Sequence, residues 1–313
     1  MLTPTEKRLA PIFWMIICLG IGLGIISNPS VAYKAAKNGL KIWWEIVLPS
    51  LFPFFVISEL LVNLGFVAFL GVILEPLMRP LFNLPGACGF VVGMSFLSGF
   101  PLSAVLTAQL RSTGLCTREE GERLVSFTSN ASPLFILGAV SVGMFQNPRL
   151  GPYLLAVHYL SNLICGLLIG SFSKTKKWPR QQGKHGTCLL LQAVRALCQN
   201  SQLPKKGMGT LLSEAISRSF SNLLTIGGFI TFFSVFLSIL KTAGLFSLIS
   251  DVLAPITVLL KVDPSLVEGM LNGFFEITVG IRKVSESSGT LLQQLMATEA
   301  ILAWNGLAIQ AQV

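Results

Sequence analysis

FLSGFPLSAV, Phe96 to Val105, lies inside an apolar run that should form a smooth membrane helix, yet it sets Ser98, Gly99, Phe100 and Pro101 side by side. Proline removes a backbone donor from a helix interior and glycine weakens it, so the run breaks here. A break at that depth is tolerated only where protein or a water-filled cavity satisfies the freed backbone groups, because lipid offers no partners.

The rest of the chain fixes the solvent. Of its 313 residues 52% are hydrophobic and 12% charged, with a mean hydropathy of +0.70. That leaves too little polar surface for a soluble globule, so the chain reads as an integral membrane protein in contact with lipid. Apolar runs fall near residues 12–27, 46–64, 66–78, 89–108, 133–146, 150–172, 220–240, 245–260, 266–281 and 295–313. Several are shorter than the roughly 20 residues of a spanning helix and read as half-helices or re-entrant segments. The first follows Lys7 and Arg8 without a convincing cleavage site and reads as a retained helix or anchor.

Charge is distributed unevenly. Between Lys174 and Lys206 the chain carries eight basic residues and no acid. By the positive-inside rule this loop is cytoplasmic; tethered between membrane blocks, it reads as a topology determinant and not as a nucleic-acid surface. The six cysteines show no CxxC spacing, so neither a disulfide framework nor a zinc site is supported. There is no HExxH, GxSxG or P-loop motif, and no enzymatic activity is expected.

The chain also resembles itself. VILEPLMRPLFNLPG (Val72 to Gly86) aligns without a gap on DVLAPITVLLKVDPS (Asp251 to Ser265), pairing Pro76 with Pro255, Pro85 with Pro264 and Leu74 with Leu253. Gly65 and Gly244, and Phe54 and Phe233, stand at the same offset of 179 residues. In that register FLSGFP corresponds to FEITVG (Phe275 to Gly280), so both halves break at one place. Duplicated membrane domains with paired, Gly/Pro-interrupted segments are the signature of secondary transporters, whose substrates sit near the bilayer midplane.

Polar groups gather at the interruptions. Thr117 and Glu120 have capping-box spacing, starting a helix that runs into FTSNASP, where Thr128, Ser129 and Asn130 precede Pro133. Pro133 frees carbonyls near Ser129, which suits either a coupling cation such as Na⁺ or a hydrogen-bonded Ser/Thr helix interface. In the second half Asn272, Glu276 and Thr278 lie in NGFFEITVG and Asn305 in WNGLAIQAQ. Glu276 is the acid most expected to mark an ion or substrate path, against a salt bridge to Arg282 or Lys283. His158 in YLLAVHYLSN reads as a hydrogen-bonded interface residue, with a proton relay as the alternative.

With GLKIWWEIVLPSLFPFFVISELL, EPLMRPLFNLPG, SGFP, FTSNASPLF, HYLSNLICG and GFFEITVG quoted, the chain resembles the YlbJ family of sporulation integral membrane proteins. The resemblance implies paired nucleoside-recognition gate domains. Their fold would be an all-α polytopic membrane protein, two inverted repeats with re-entrant and discontinuous helices, similar to concentrative nucleoside transporters. Residues 1–37 would form an N-terminal helix or anchor, 38–172 a first repeat, 173–213 a basic cytoplasmic linker and 214–313 a second repeat, truncated at its C-terminus. Ser98, Gly99, Phe100 and Pro101, and Asn272 to Gly280, would lie at the re-entrant tips; Thr128 to Pro133 and Asn305 to Gln310 would be the discontinuities. The implied activity is passage of a small organic anion, dipicolinate, across the outer forespore membrane, with no cofactor beyond a coupling sodium ion or proton. Phe96, Phe100, Phe274 and Phe275 would offer stacking surface for its ring. A non-transporting scaffold for spore-envelope assembly and a cation-coupled nucleoside transporter are the alternatives, and a homo-oligomer is compatible with either.

Overall fold

The computed structural model of the chain describes residues 4–100, 102–112, 114–172, 188–203, 205–259 and 262–311, and among these every regular element is a helix. Pro101 and most of the basic loop lie outside the described residues. Helix α1 (Pro4–Ser27) is followed by α2 (Pro29–Ile42), a π-helical turn (Trp43–Val47) and α3 (Leu48–Asn63), the last three forming one continuous 35-residue helix. Then come α4 (Phe66–Phe82), α5 (Cys88–Ser98), α6 (Leu102–Ser112), α7 (Arg118–Thr128), a π-helical segment (Phe135–Met144) and α8 (Leu150–Phe172). After α9 (Leu189–Asn200), the second half comprises α10 (Met208–Thr242), α11 (Leu245–Leu259), α12 (Pro264–Phe275), α13 (Ile277–Ser285), α14 (Leu291–Trp304) and α15 (Gly306–Gln310).

Among the described residues three helices are long and apolar enough to cross a membrane: Pro29–Asn63, Leu150–Phe172 and Met208–Thr242. The first and third begin well before the apolar runs that announce them. The extension Pro29–Ile42 is amphipathic, and its small residues Ala32, Ala35 and Gly39 are buried. A Cβ on Gly39 would stand 2.9 Å from Thr231 Cα of α10, and one on Gly227 would stand 2.7 Å from the Trp43 ring. Lipid tails are as apolar as leucine, so such close approaches and interhelical hydrogen bonds hold membrane helices together. The Trp43 indole supplies one bond, donating to Leu223 O at 2.8 Å. The segment read as a linker also contains structure: α9 packs on α4, and Gln202 N–H donates to Asn63 O.

Element order recurs along the chain. A long helix turns at a left-handed glycine into a proline-containing helix, at Gly65 (φ +84°) into α4 and at Gly244 (φ +80°) into α11. Two short helices and a third that stops at a polar break follow in each half. At 1.5 Å per residue the 11- and 12-residue helices α5 and α12 reach only about 16–18 Å, against about 30 Å of hydrocarbon.

One large core joins the halves, with Trp43, Val47 and Ile136 packed in the same cluster as Leu223, Ile281 and Leu302. A smaller one in the first half centres on Met78, Leu84, Leu124 and Phe127, where Phe82 and Phe127 stack at 4.7 Å.

Candidate functional site where four chain breaks converge

The first hairpin, α5 and α6, reverses at Gly99 and Phe100. Gly99 has φ +72°, and a Cβ there would stand 2.6 Å from Ser132 N, so both conformation and space demand glycine. Phe100 N–H donates to Asn130 O at 3.0 Å. The tip of the hairpin thus sits on the break after α7.

That break is closed by its neighbours. The capping box predicted at Thr117 and Glu120 is present and starts α7; Thr128 Oγ1 ends it by donating to Leu124 O at 2.6 Å. The Asn130 amide, oriented with nitrogen toward the carbonyls, donates to Thr128 O and Phe127 O. Ser132 Oγ accepts from Phe135 N–H and starts the next helical segment. Tyr159 O–H donates to Ala131 O at 2.9 Å and Phe96 O at 3.2 Å, and Ala131 N–H donates to His158 Nε2 at 3.2 Å. The carbonyls around the proline are therefore taken up by Phe100 at the hairpin tip, Tyr159 of α8 and Asn305.

The second hairpin, α12 and α13, reverses at Glu276. Gly273 and Gly280 touch across it, and a Cβ on Gly269 would stand 2.6 Å from Val284 Cγ2, which lets the two helices run almost backbone to backbone. Glu276 is buried, and its carboxylate accepts from Val279 N–H at 2.7 Å as the N-cap of α13. It does not form the alternative salt bridge: Arg282 pairs with Glu286 at 2.6 Å, and Lys283 with Glu268 at 2.5 Å. Thr278 is buried beside it, and the Asn272 amide donates to Glu268 O.

Helix α14 stops at Asn305 (φ +69°) and Gly306 (φ +65°). A Cβ on Gly306 would stand 3.2 Å from Phe275 O, so the second tip rests on the second break. The Trp304 indole donates to Phe274 O and stacks on the Phe274 ring at 4.9 Å. Two bonds then join the halves: Asn305 Nδ2 donates to Ser129 O and Oγ, each at 3.3 Å. Ser129 and Asn305 are thus brought together directly, and Gly99, Phe100 and Asn130 adjoin Ser129. Ser98 is half-buried at the first tip. Of the expected stacking rings, Phe96 packs on Tyr159 and Phe275 on Phe236.

A cavity of about 350 Å³ opens beside the second hairpin, between α2, α10 and α13. Of the expected residues Asn272 lines it; Ser98, Gly99 and Glu276 do not. Its charged lining is Lys41, Lys241, Arg282 and Lys283 against Glu45 and Glu286, a net positive balance. Lys41 and Lys241 lie on helices far apart in sequence, and nothing in their spacing announced the cluster. Among the described residues no group of three metal-binding side chains occurs.

A family model described as Gate, nucleoside recognition, matches residues 44–168 and 223–310. The sporulation integral membrane protein YlbJ of Bacillus subtilis (strain 168) is 43% identical over 290 residues, covering 92% of this chain and 71% of that protein. The chain belongs to the YlbJ family of Gate proteins. A more distant similarity, 26% over 166 residues, links this YlbJ-family chain to an uncharacterized protein of Alkalihalophilus pseudofirmus and covers 50% of the chain and 34% of the other protein. No solved structure matches. The two matched stretches of the Gate model include both hairpins and both breaks, and the chain is an integral membrane protein.

Proposed function

We propose that the chain is a membrane transporter for a small organic anion, dipicolinate, carried from the mother cell toward the forespore across the outer forespore membrane during sporulation. The observation that carries the transport reading is the meeting of two half-length hairpins and two discontinuous helices at Ser129 and Asn305. Irregular backbone is costly at membrane depth and is used where a substrate path crosses it. The similarity to a protein named for sporulation supports the setting.

The cation-rich cavity supports the sign of the substrate. Its volume suits a planar aromatic diacid, and an Arg fork binds a carboxylate in two parallel bonds. An entering carboxylate would displace Glu286 from Arg282. Two inverted repeats, residues 38–172 and 214–313 joined by 173–213 on the cytoplasmic side, account for the recurring element order. The separation of two contacts supports this. Trp43 bonds to Leu223, 180 residues on, and Ser129 to Asn305, 176 residues on, both close to the 179-residue offset. The counterparts of Trp43 and Ser129 at that offset are Asn222 and Ala308, one and three positions from the bonded residues, and only positions near a two-fold axis come so close to their own counterparts.

Proteoliposomes holding the purified chain should take up labelled dipicolinate saturably, and Arg282→Gln should raise the half-saturating concentration at least several-fold. Absence of saturable uptake would overturn the reading. Competition by uridine would instead favour the nucleoside named in the family description.

A further inference from the structure

His158 and Glu299 form a contact that the transport reading above does not use. His158 is buried on α8, and its Nδ1 lies 3.3 Å from Glu299 Oε2 of α14, a further link between the halves. The other ring nitrogen fixes the tautomer. Ala131 N–H can only donate, so Nε2 must be the bare nitrogen and the ring proton sits on Nδ1, directed at the carboxylate. Glu299 Oε1 is buried without a hydrogen-bonding partner, as is the amide nitrogen of Asn162, one turn along the same face of α8.

From these contacts we infer that His158, with Glu299 as its counter-ion, is the site of a coupling proton, and that the break at 129–132 responds to its occupancy. One proton taken from water onto Nε2 turns the pair from a neutral ring beside an anion into an imidazolium–carboxylate pair with no net charge. Low dielectric favours that pairing. The same proton points an N–H at the Ala131 N–H, donor against donor, so the Ala131 bond opens. Ala131 lies two residues from Ser129, so the change reaches the Asn305 contact between the halves. Loss of the proton to the opposite side restores the bond.

Among the described residues Glu299 is the acid that pairs with the ring. On α8 itself Tyr159 packs edge-on at 5.8 Å, with its hydroxyl already committed to Ala131 O and Phe96 O. Helix α7 carries its charges between Arg118 and Arg123, in the half away from the break; α4 carries Glu75 and Arg79, and α14 only Glu299. The π-helical segment carries no titratable group, and α5 only Cys88. A metal ion is a poor fit, with one carboxylate and a ring nitrogen already used.

The coupling role rests on the transport reading; the proton site does not, and two measurements separate them. The chain has two histidines, so ¹⁵N-histidine NMR of His185→Gln isolates His158. The expected spectrum shows the Nδ1–H tautomer, converting on acidification to imidazolium together with a shift of the Ala131 amide and a fall in its exchange protection relative to the intrinsic rate at each pH. An Nε2–H tautomer, or an Ala131 amide indifferent to acidification, would overturn the inference. In proteoliposomes, wild type should accumulate dipicolinate about tenfold per unit of pH gradient at one proton per substrate. Glu299→Gln, which keeps an acceptor for Nδ1–H, should lose that accumulation yet still exchange labelled for unlabelled dipicolinate. Gradient-driven accumulation unchanged in Glu299→Gln would overturn the coupling role. If no form moves dipicolinate, the transport reading fails and the spectrum still decides the proton site.

Discussion

At the scale of single residues, the glycines divide into those that need only a backbone angle and those that also need space. Gly114 and Gly99 share φ +72°, but a Cβ on Gly114 meets nothing within 4 Å. Gly114→Ala should therefore cost about 1 kcal/mol, the left-handed penalty alone. Gly99→Ala must also push back the Ser132 backbone and should cost clearly more; thermal melting of the two variants in detergent gives the comparison. Glu276 divides in a similar way. Glu276→Ala strips a buried cap from α13 and should lower stability by about 1 kcal/mol, whereas Glu276→Gln keeps an acceptor for Val279 N–H and should melt near wild type. If Glu276→Gln nonetheless slows transport, its charge matters beyond the cap. Sequence showed that an acid lies deep in an apolar run. Its role as a cap depends on the extended backbone at Glu276 (φ −142°, ψ 118°), which no residue type announces.

At the scale of elements, the chain breaks and the start of α7 were the most readable features, because they are written in local chemistry. Thr117 with Glu120, and the Gly–Pro and Asn–Gly interruptions, are rules of nearest neighbours. Thr117→Ala should cost about 1 kcal/mol and fray α7, checked by hydrogen exchange at Glu120. Helix α12 begins at a cap sensitive to pH. Asp263 accepts from the Ser265 hydroxyl and N–H, and these bonds hold its carboxyl below the ordinary range. A depressed folded value means that the stabilisation is complete above the unfolded carboxylate range and is lost as pH falls through the folded one. Protection of the Ser265 amide, taken relative to its intrinsic exchange rate at each pH, should therefore fall on acidification in wild type, and Asp263→Asn should remove that loss. Helix starts at Pro29 and Met208 were not legible as membrane spans, since their first turns are polar enough to read as loop and are held by packing between α2 and α10.

At the scale of the whole molecule, the contacts that make a site were out of reach of sequence reasoning. Asn305 and Ser129 were each singled out, but their meeting spans 176 residues and depends on how two hairpins dock. A double-mutant cycle with Ser129→Ala and Asn305→Gly, the second chosen to keep the left-handed backbone, should give a coupling of about 0.5–1.7 kcal/mol. Glu299 was missed although it is the single acid of α14; its neighbours gave no sign that His158 would face it.

The indole of Trp43 and the carbonyl of Leu223 stand 180 residues apart, one more than the 179-residue offset, and touch. In a symmetric dimer, a residue at the axis meets its own copy; join the two copies into one chain and that contact becomes a bond between residues a repeat apart. On the proposed two-repeat reading, the hydrogen bond is the imprint of a two-subunit past. That reading predicts that covalent continuity between the halves is dispensable: residues 1–172 and 188–313, expressed as separate chains in one cell, should co-purify, and Trp43→Phe should weaken their association.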